Sequence, residues 1–261
     1  MFEINPFAEL ATTVPVAVMQ GFVTLMIALV AGGTLFDVIH KGSAKYFFQR
    51  WSRENKAKQR DPGLDEKIAS VTKTTAHDIL TSSEFCNFKR RLAHLLTMYG
   101  FTAYAIATAV MVYTYPTKDI ATPLYWPQIW WLGSAMVCAG GYWFWFFIRV
   151  DVAAEGNSPF RFVRADLFVV SLVLSTTFAI IWAYCQATGA SITVIALALY
   201  LISTAILFGS VPWSKFSHMF FKPAAAYQKN LAHLNGGRNH LPAPSDEPAI
   251  LGKPERHGHN Y

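Results

Sequence analysis

His94 and His218, two of the eight histidines, each stand at the polar end of a long apolar stretch. A neutral imidazole has one ring nitrogen that can donate an electron pair to a metal. Two imidazoles facing each other across a helix bundle can therefore fill both axial positions of a haem iron with no cysteine required. Arg90, Arg91 and Lys215 lie near the pair in sequence and could hold haem propionates. Gly100, six residues beyond His94, could let a flat macrocycle approach a helix backbone. A simpler alternative stays open on spacing alone, namely two interfacial histidines hydrogen-bonded to headgroups or to backbone. The other histidines read as surface residues: His40 and His77 in a basic segment, and His233, His240, His257 and His259 in a polar tail. The closely spaced His257 and His259 could touch a stray metal, but a solvated tail is the expectation there.

Charge-free runs define the elements that must hold this pair. No Asp, Glu, Lys or Arg occurs in 10–36, 92–117, 120–148 or 167–214. A membrane-spanning helix needs about 20 apolar residues, so the first three runs predict one span each. The fourth predicts two, with a turn at Gln186, Ala187, Thr188 and Gly189. The expected spans are 14–36, 92–113, 129–148, 167–184 and 191–211, the last closed by Pro212. His94 then begins span two and His218 follows span five, at similar depth. Tyr125, Trp126, Trp130 and Trp131 predict an aromatic belt at the opposite interface.

Alternate loops collect the positive charge. The segment 37–91 holds 12 Lys and Arg, 149–166 holds three and the tail from Lys215 holds six, leaving only Lys118 on the other side. The positive-inside rule then predicts an all-α five-span bundle with the N-terminus outside and the C-terminus in the cytoplasm. Residues 1–225 form the membrane domain in this reading, and 226–261 a polar, disordered tail. The segment 41–91 is expected to end a charged helix near residue 60 and to form a second helix over 64–80. Its cations, Lys56, Lys58 and Arg60 among them, are expected to dock an acidic partner.

Composition narrows the function classes. The 261 residues are 53% hydrophobic and 15% charged, against about 25% charged in soluble domains. The net charge of +6 lies almost wholly in the predicted cytoplasmic loops, where topology and anionic lipid account for it better than nucleic acid does. The start lacks a basic n-region, so an uncleaved first span is expected. Cys86, Cys138 and Cys185 are too scattered for an iron–sulfur cluster or zinc finger. A coupled transporter is disfavoured, because such proteins usually place charge at the midplane.

The run Val211, Pro212, Trp213, Ser214, Lys215, Phe216, Ser217, His218, followed by Pro223, resembles the end of the last span in the nitrate reductase gamma-subunit family. Arg91, Leu92, Ala93 and His94 are similar to that family's start of span two. The resemblance implies that His94 and His218 are the ligands of the haem b nearer the cytoplasm. It also implies a soluble oxidoreductase docked through 41–91 and the tail, electron exchange with a membrane quinone, and a bacterial cell inner membrane. The family's second haem has its ligands where this chain has Tyr104 and Tyr200. Phenolate can bind haem iron, but packing is the expectation for both, and with it a single haem. Small one-chain members of the family include anchors of dissimilatory adenylylsulfate reductase, to which the chain is similar in size and in the stretch 221–227. A haem-free anchor or scaffold for a soluble enzyme complex is the alternative. In either reading substrate turnover belongs to the partner.

Overall fold

The structure is a computed structural model. It describes residues 2–40, 43–82, 87–149, 162, 166–213 and 218–236. The described residues form helices and turns, with no strand among them. In chain order the helices are α1 (Pro6–Leu10), α2 (Val16–His40), α3 (Ser43–Lys56), α4 (Leu64–Lys73), α5 (Phe88–Thr114), α6 (Tyr125–Trp143), α7 (Asp166–Thr188), α8 (Thr193–Gly209) and α9 (His218–Leu234). A π-helical turn, Thr74–Leu80, continues α4, and another, Phe144–Ile148, continues α6.

Helices α2, α5, α6 with its π turn, and α7 are long and apolar enough to cross a membrane. The protein is therefore a multi-pass membrane protein. Helix α8 is equally apolar but has 17 residues, about 26 Å at 1.5 Å per residue. Large apolar side chains are turned outward: Leu35 and Ile39 on α2, and Val194 and Ile202 on α8, are exposed. Lipid tails are as apolar as leucine, so burying such side chains against protein gains little, and helices associate instead through small residues and interhelical hydrogen bonds. The interior accordingly holds Gly100, Gly133, Ser134, Ser175, Thr176 and Thr204, all buried.

Many hydroxyls inside these spans are satisfied locally, while Thr34 Oγ1 of α2 is buried with no hydrogen bond among the described residues. Thr97, Thr108, Ser134, Thr176, Ser203 and Thr204 each donate to the carbonyl one turn back. An unsatisfied hydroxyl in hydrocarbon would cost several kcal/mol.

Neighbour contacts close a ring. Helix α5 packs on α6, α6 on α7, α7 on α8, α8 on α2 and α2 on α5. The tightest seam joins α5 to α6. A Cβ at Gly133 would stand 2.7 Å from the Gly100 carbonyl oxygen and from the Tyr104 nitrogen, and one at Gly140 would stand 2.6 Å from the Ala93 carbonyl oxygen. Gly133 and Gly140 are seven residues apart, the repeat of a left-handed helix pair.

The short helix α1 plugs one end of the ring. Asn5 caps it by accepting from Phe7 N at 3.0 Å and Ala8 N at 3.3 Å. Its amide also donates to the Tyr115 carbonyl at 2.9 Å and to Thr122 Oγ1 at 3.1 Å. Gln186 of α7 donates to the Pro6 carbonyl at 2.7 Å. Phe7 is thereby buried between Trp130 and Trp182, at ring distances of 6.0 and 5.6 Å. Sequence reading treats residues 1–13 only as the approach to span one.

The opposite, basic end carries a platform made of α3, α4 and α9. Gln228 donates to Glu54 at 2.8 Å, Asn230 donates to Thr74 at 2.8 Å, and Trp51 meets Tyr227 at 6.5 Å. Arg60 closes the platform, with Nε on the Leu234 carbonyl at 2.9 Å and its backbone N–H on the Asn235 carbonyl. The stretch assigned to a tail from 226 is thus helical as far as Leu234 and packed; 237–261 lies outside the described residues. Helix α5 starts at Phe88, four residues earlier than expected, because Asn87 supplies a cap that accepts from Lys89 N at 2.9 Å.

Candidate functional site: the basic end of the ring

His94 sits in the second turn of α5 with its side chain exposed. Its Nδ1 lies 3.2 Å from Ser82 Oγ. Ser82 is itself buried and adopts a left-handed backbone, φ 48°, a conformation that is uncommon for a residue with a Cβ. Contacts to the two residues before it hold it there. Arg91 Nε donates to the Thr81 carbonyl at 2.6 Å, and Tyr99 donates to the Leu80 carbonyl at 2.6 Å. The end of the π turn is thus laid along the first turns of α5. In the tautomer with Nδ1–H donating to Ser82 Oγ, the ring would be oriented through its second nitrogen, as that of a metal-bound histidine commonly is.

The direction of His94 follows from its helix position. Phe101 is seven residues further along α5 and therefore on nearly the same face. Phe101 reaches across the ring to Phe208 of α8, with ring centroids 6.4 Å apart. His94 thus shares the α5 face that meets α8 at Phe101, about 10.5 Å nearer the basic end, with its side chain exposed. Helix α8 runs through the 3₁₀ turn Val211–Trp213 toward His218, the first residue of α9. The His218 side chain and all of Lys215 lie outside the described residues. Arg90, one turn before His94, is half-buried.

Gly100 requires a correction. A Cβ there would stand 2.7 Å from Met136 Cβ, 2.8 Å from the Gly133 carbonyl oxygen and 2.9 Å from Val137 N. Its missing side chain admits α6, not a macrocycle. The docking cations also need revision. Lys58 is bound to Asp61 at 2.7 Å and Arg60 to Glu66 at 2.9 Å. The Lys58 hydrogen bond and charge hold the Asp61 carboxyl below its usual value. Arg60, then the Gly63 N–H, do the same for Glu66. Lys56 carries no such partner among the described residues.

Tyr104 and Tyr200 are both buried, and Tyr104 donates to the Tyr200 hydroxyl at 2.7 Å. Trp182 stacks on Tyr200 at 5.6 Å and Trp130 lies against Tyr104 at 5.6 Å. Just beside them Ser175 and Thr204 share a hydrogen bond of 2.7 Å. With their hydroxyls bonded to each other, the two rings lock α5 to α8.

Asp37 is a residue that sequence reading passed over. It is buried in the last turns of α2, one turn from Gly33, where an added Cβ would stand 3.0 Å from Val211 Cβ. It marks the end of a charge-free run, and such a position gives no hint that the side chain turns inward. The hydroxyls of Ser171, Ser175 and Thr204 carry no comparable sequence signal, and the Ser175–Thr204 pair forms only once α7 meets α8.

At this end the described residues fit one axial imidazole, with its second nitrogen held and two arginines nearby. No group of three or more His, Cys, Asp or Glu converges among the described residues, and a bis-imidazole site does not call for one. No family model matches the chain, no curated protein is significantly similar to it, and no solved structure is either.

Proposed function

We propose that the chain is the membrane electron-transfer subunit of a soluble oxidoreductase, holding one haem b between His94 and His218 at the cytoplasmic end of five spans. The observation that carries this reading is the face of His94. It shares the α5 face of Phe101, which meets Phe208 of α8, and Ser82 Oγ lies 3.2 Å from its Nδ1. In this reading α8 is the fifth span, the N-terminus is outside, and the platform is cytoplasmic. The split of Lys and Arg, 21 against one, supports that orientation. The membrane is the bacterial cell inner membrane that the resemblance implies.

A bound haem b supplies one-electron chemistry. The chain's own residues do the rest. His94 binds through Nε2 and is oriented by Ser82. Arg90, Arg91 and Lys215 place positive charge against propionates. The Phe101–Phe208 contact and the tyrosine pair beyond it pack the interior, exclude water, and confine the site to the cytoplasmic half. The platform of α3, α4 and α9 docks the soluble partner. By the resemblance that partner is an enzyme such as adenylylsulfate reductase, and a membrane quinone is the other electron carrier.

Absorbance of the purified protein tests the reading. One low-spin haem b per chain is expected. His94→Ala or His218→Ala should empty the site or turn it high-spin. Tyr104→Phe and Tyr200→Phe should leave the spectrum unchanged. Wild type without haem b absorbance, or a second haem lost with the tyrosine changes, refutes it. A haem-free anchor is the second reading, favoured by a platform already closed by Gln228–Glu54 and Arg60–Leu234. Salt-sensitive capture of the soluble enzyme by haem-free protein would select it.

A further inference from the structure

We infer that α3 carries a seat for an anionic phospholipid headgroup on its exposed face, independent of whether haem binds at His94. Helix α2 ends at His40 and α3 begins at Ser43. From residue 40 to residue 43 the chain makes three Cα–Cα steps, at most about 11 Å, so α3 starts close to where α2 leaves the bilayer. The outward apolar surface of α2 persists up to that point, with Phe36 and Ile39 both exposed.

Helix α3 divides into two faces. Phe47, Trp51 and Glu54 turn toward α9, through Trp51 against Tyr227 and Glu54 against Gln228. Beside them lies an open groove of about 450 Å³ lined by Phe48, Trp51, Ser52, Asn55 and Lys56. Phe48 is 65% exposed in it. Lys45, Phe48, Ser52 and Lys56 follow at i, i+3, i+7 and i+11, which sets them in one stripe along the helix. A lysine thus stands at each end of the stripe, with a phenyl ring and a hydroxyl between, and the Asn55 amide lines the groove beside it. Neither lysine has an acidic partner among the described residues, whereas Arg50, on another face, is bound to Glu54 at 2.9 Å.

That pattern matches a lipid headgroup better than a protein surface. The ammonium groups complement phosphate charge, and the Ser52 hydroxyl and Asn55 amide can donate to phosphate oxygens. The exposed ring at the membrane surface belongs among acyl chains, as in interfacial amphipathic helices. The groove also falls within the roughly 300–1,000 Å³ typical of small-ligand sites.

Full-length protein in lipid nanodiscs tests this. The emission of Trp51 is isolated as the difference between wild type and Trp51→Phe. Brominated phosphatidylglycerol should quench it more than brominated phosphatidylcholine. Lys45→Gln and Lys56→Gln should each reduce that preference by about fivefold, while Arg50→Gln should leave it intact. Native mass spectrometry of the wild type should retain phosphatidylglycerol. Two results overturn the proposal. Equal quenching by both lipids would mean interfacial insertion without a headgroup site. No quenching by either would mean that the groove faces water or a soluble partner.

Discussion

Gly133→Ala should loosen the α5–α6 seam, and the structure sets the scale. The new Cβ would stand 2.7 Å from the Gly100 carbonyl oxygen and 2.7 Å from Tyr104 N, where ordinary contact begins at 3.4 Å. Both obstacles are backbone atoms within a hydrogen-bonded helix, so neither can rotate away. Helix α6 must retreat by roughly 0.7 Å to restore contact distance. Overpacking of this kind costs about 1–3 kcal/mol. At about 2–4 °C per kcal/mol for a chain of this size, the melting temperature should fall by about 2–12 °C. Trp130 and Tyr104 sit on the two sides of this seam at 5.6 Å, so near-ultraviolet circular dichroism of detergent-solubilised protein is a suitable assay. Gly100→Ala meets the same seam from the other side. Because the two glycines face each other, the double substitution should cost less than the sum of the singles. Gly21→Ala and Gly32→Ala are the controls, since nothing lies within 4 Å of a Cβ there. Alanine is the better helix former by about 0.5–1 kcal/mol, so neither control should lose stability. If Gly133→Ala melts together with Gly21→Ala, the close approach of α5 and α6 is wrong.

The platform should depend on pH through Glu66. Arg60 and the Gly63 N–H hold its carboxyl below the ordinary 4.5. A lowered folded-state value adds stability that is present above 4.5 and disappears as pH falls through the folded value. The protection of the Gln59 and Arg60 amides, whose N–H groups bind the Asn235 carbonyl, measured against the intrinsic rate at each pH, should fall over that acid range, and Glu66→Gln should lower it at neutral pH. Arg149 pairs with Asp166 and lies 4.0 Å over the Trp145 ring, with both charged side chains nearly buried at 11% and 13% exposure. Arg149→Ala should cost about 3–5 kcal/mol in unfolding experiments by stranding the carboxylate, and adding Asp166→Asn should recover much of it. For orientation, a phosphatase fused after Tyr261 should be inactive and one inserted in 115–127 active; the reverse pattern would invert the topology and the placement of the platform.

Much of the architecture was legible residue by residue. Ionised side chains are too costly in hydrocarbon to be scattered, so the runs 10–36, 92–117, 120–148 and 167–214 mark the apolar helices directly. The segment 64–80 was readable as helix for a similar local reason, and Gly189, at φ 69°, was readable as the turn. His94 was legible as a polar ring at a span end. Its face was not, because that depends on Phe101 finding Phe208. The same holds wherever a partner is remote in the chain. Tyr104 meets Tyr200 across 96 positions and Gln186 meets Pro6 across 180. Gly100 shows the contrast most clearly. As a sequence position it offers only a missing side chain, and the partner that uses the gap is chosen by which helix packs there. Local solvation energy determined which long apolar segments are helices, while capping by Asn87 and packing of α9 set ends that it did not. Helix packing, through glycine seams and buried hydroxyl pairs, decided the ring order, the α1 plug and the closed platform, because these contacts exist only once distant segments have met.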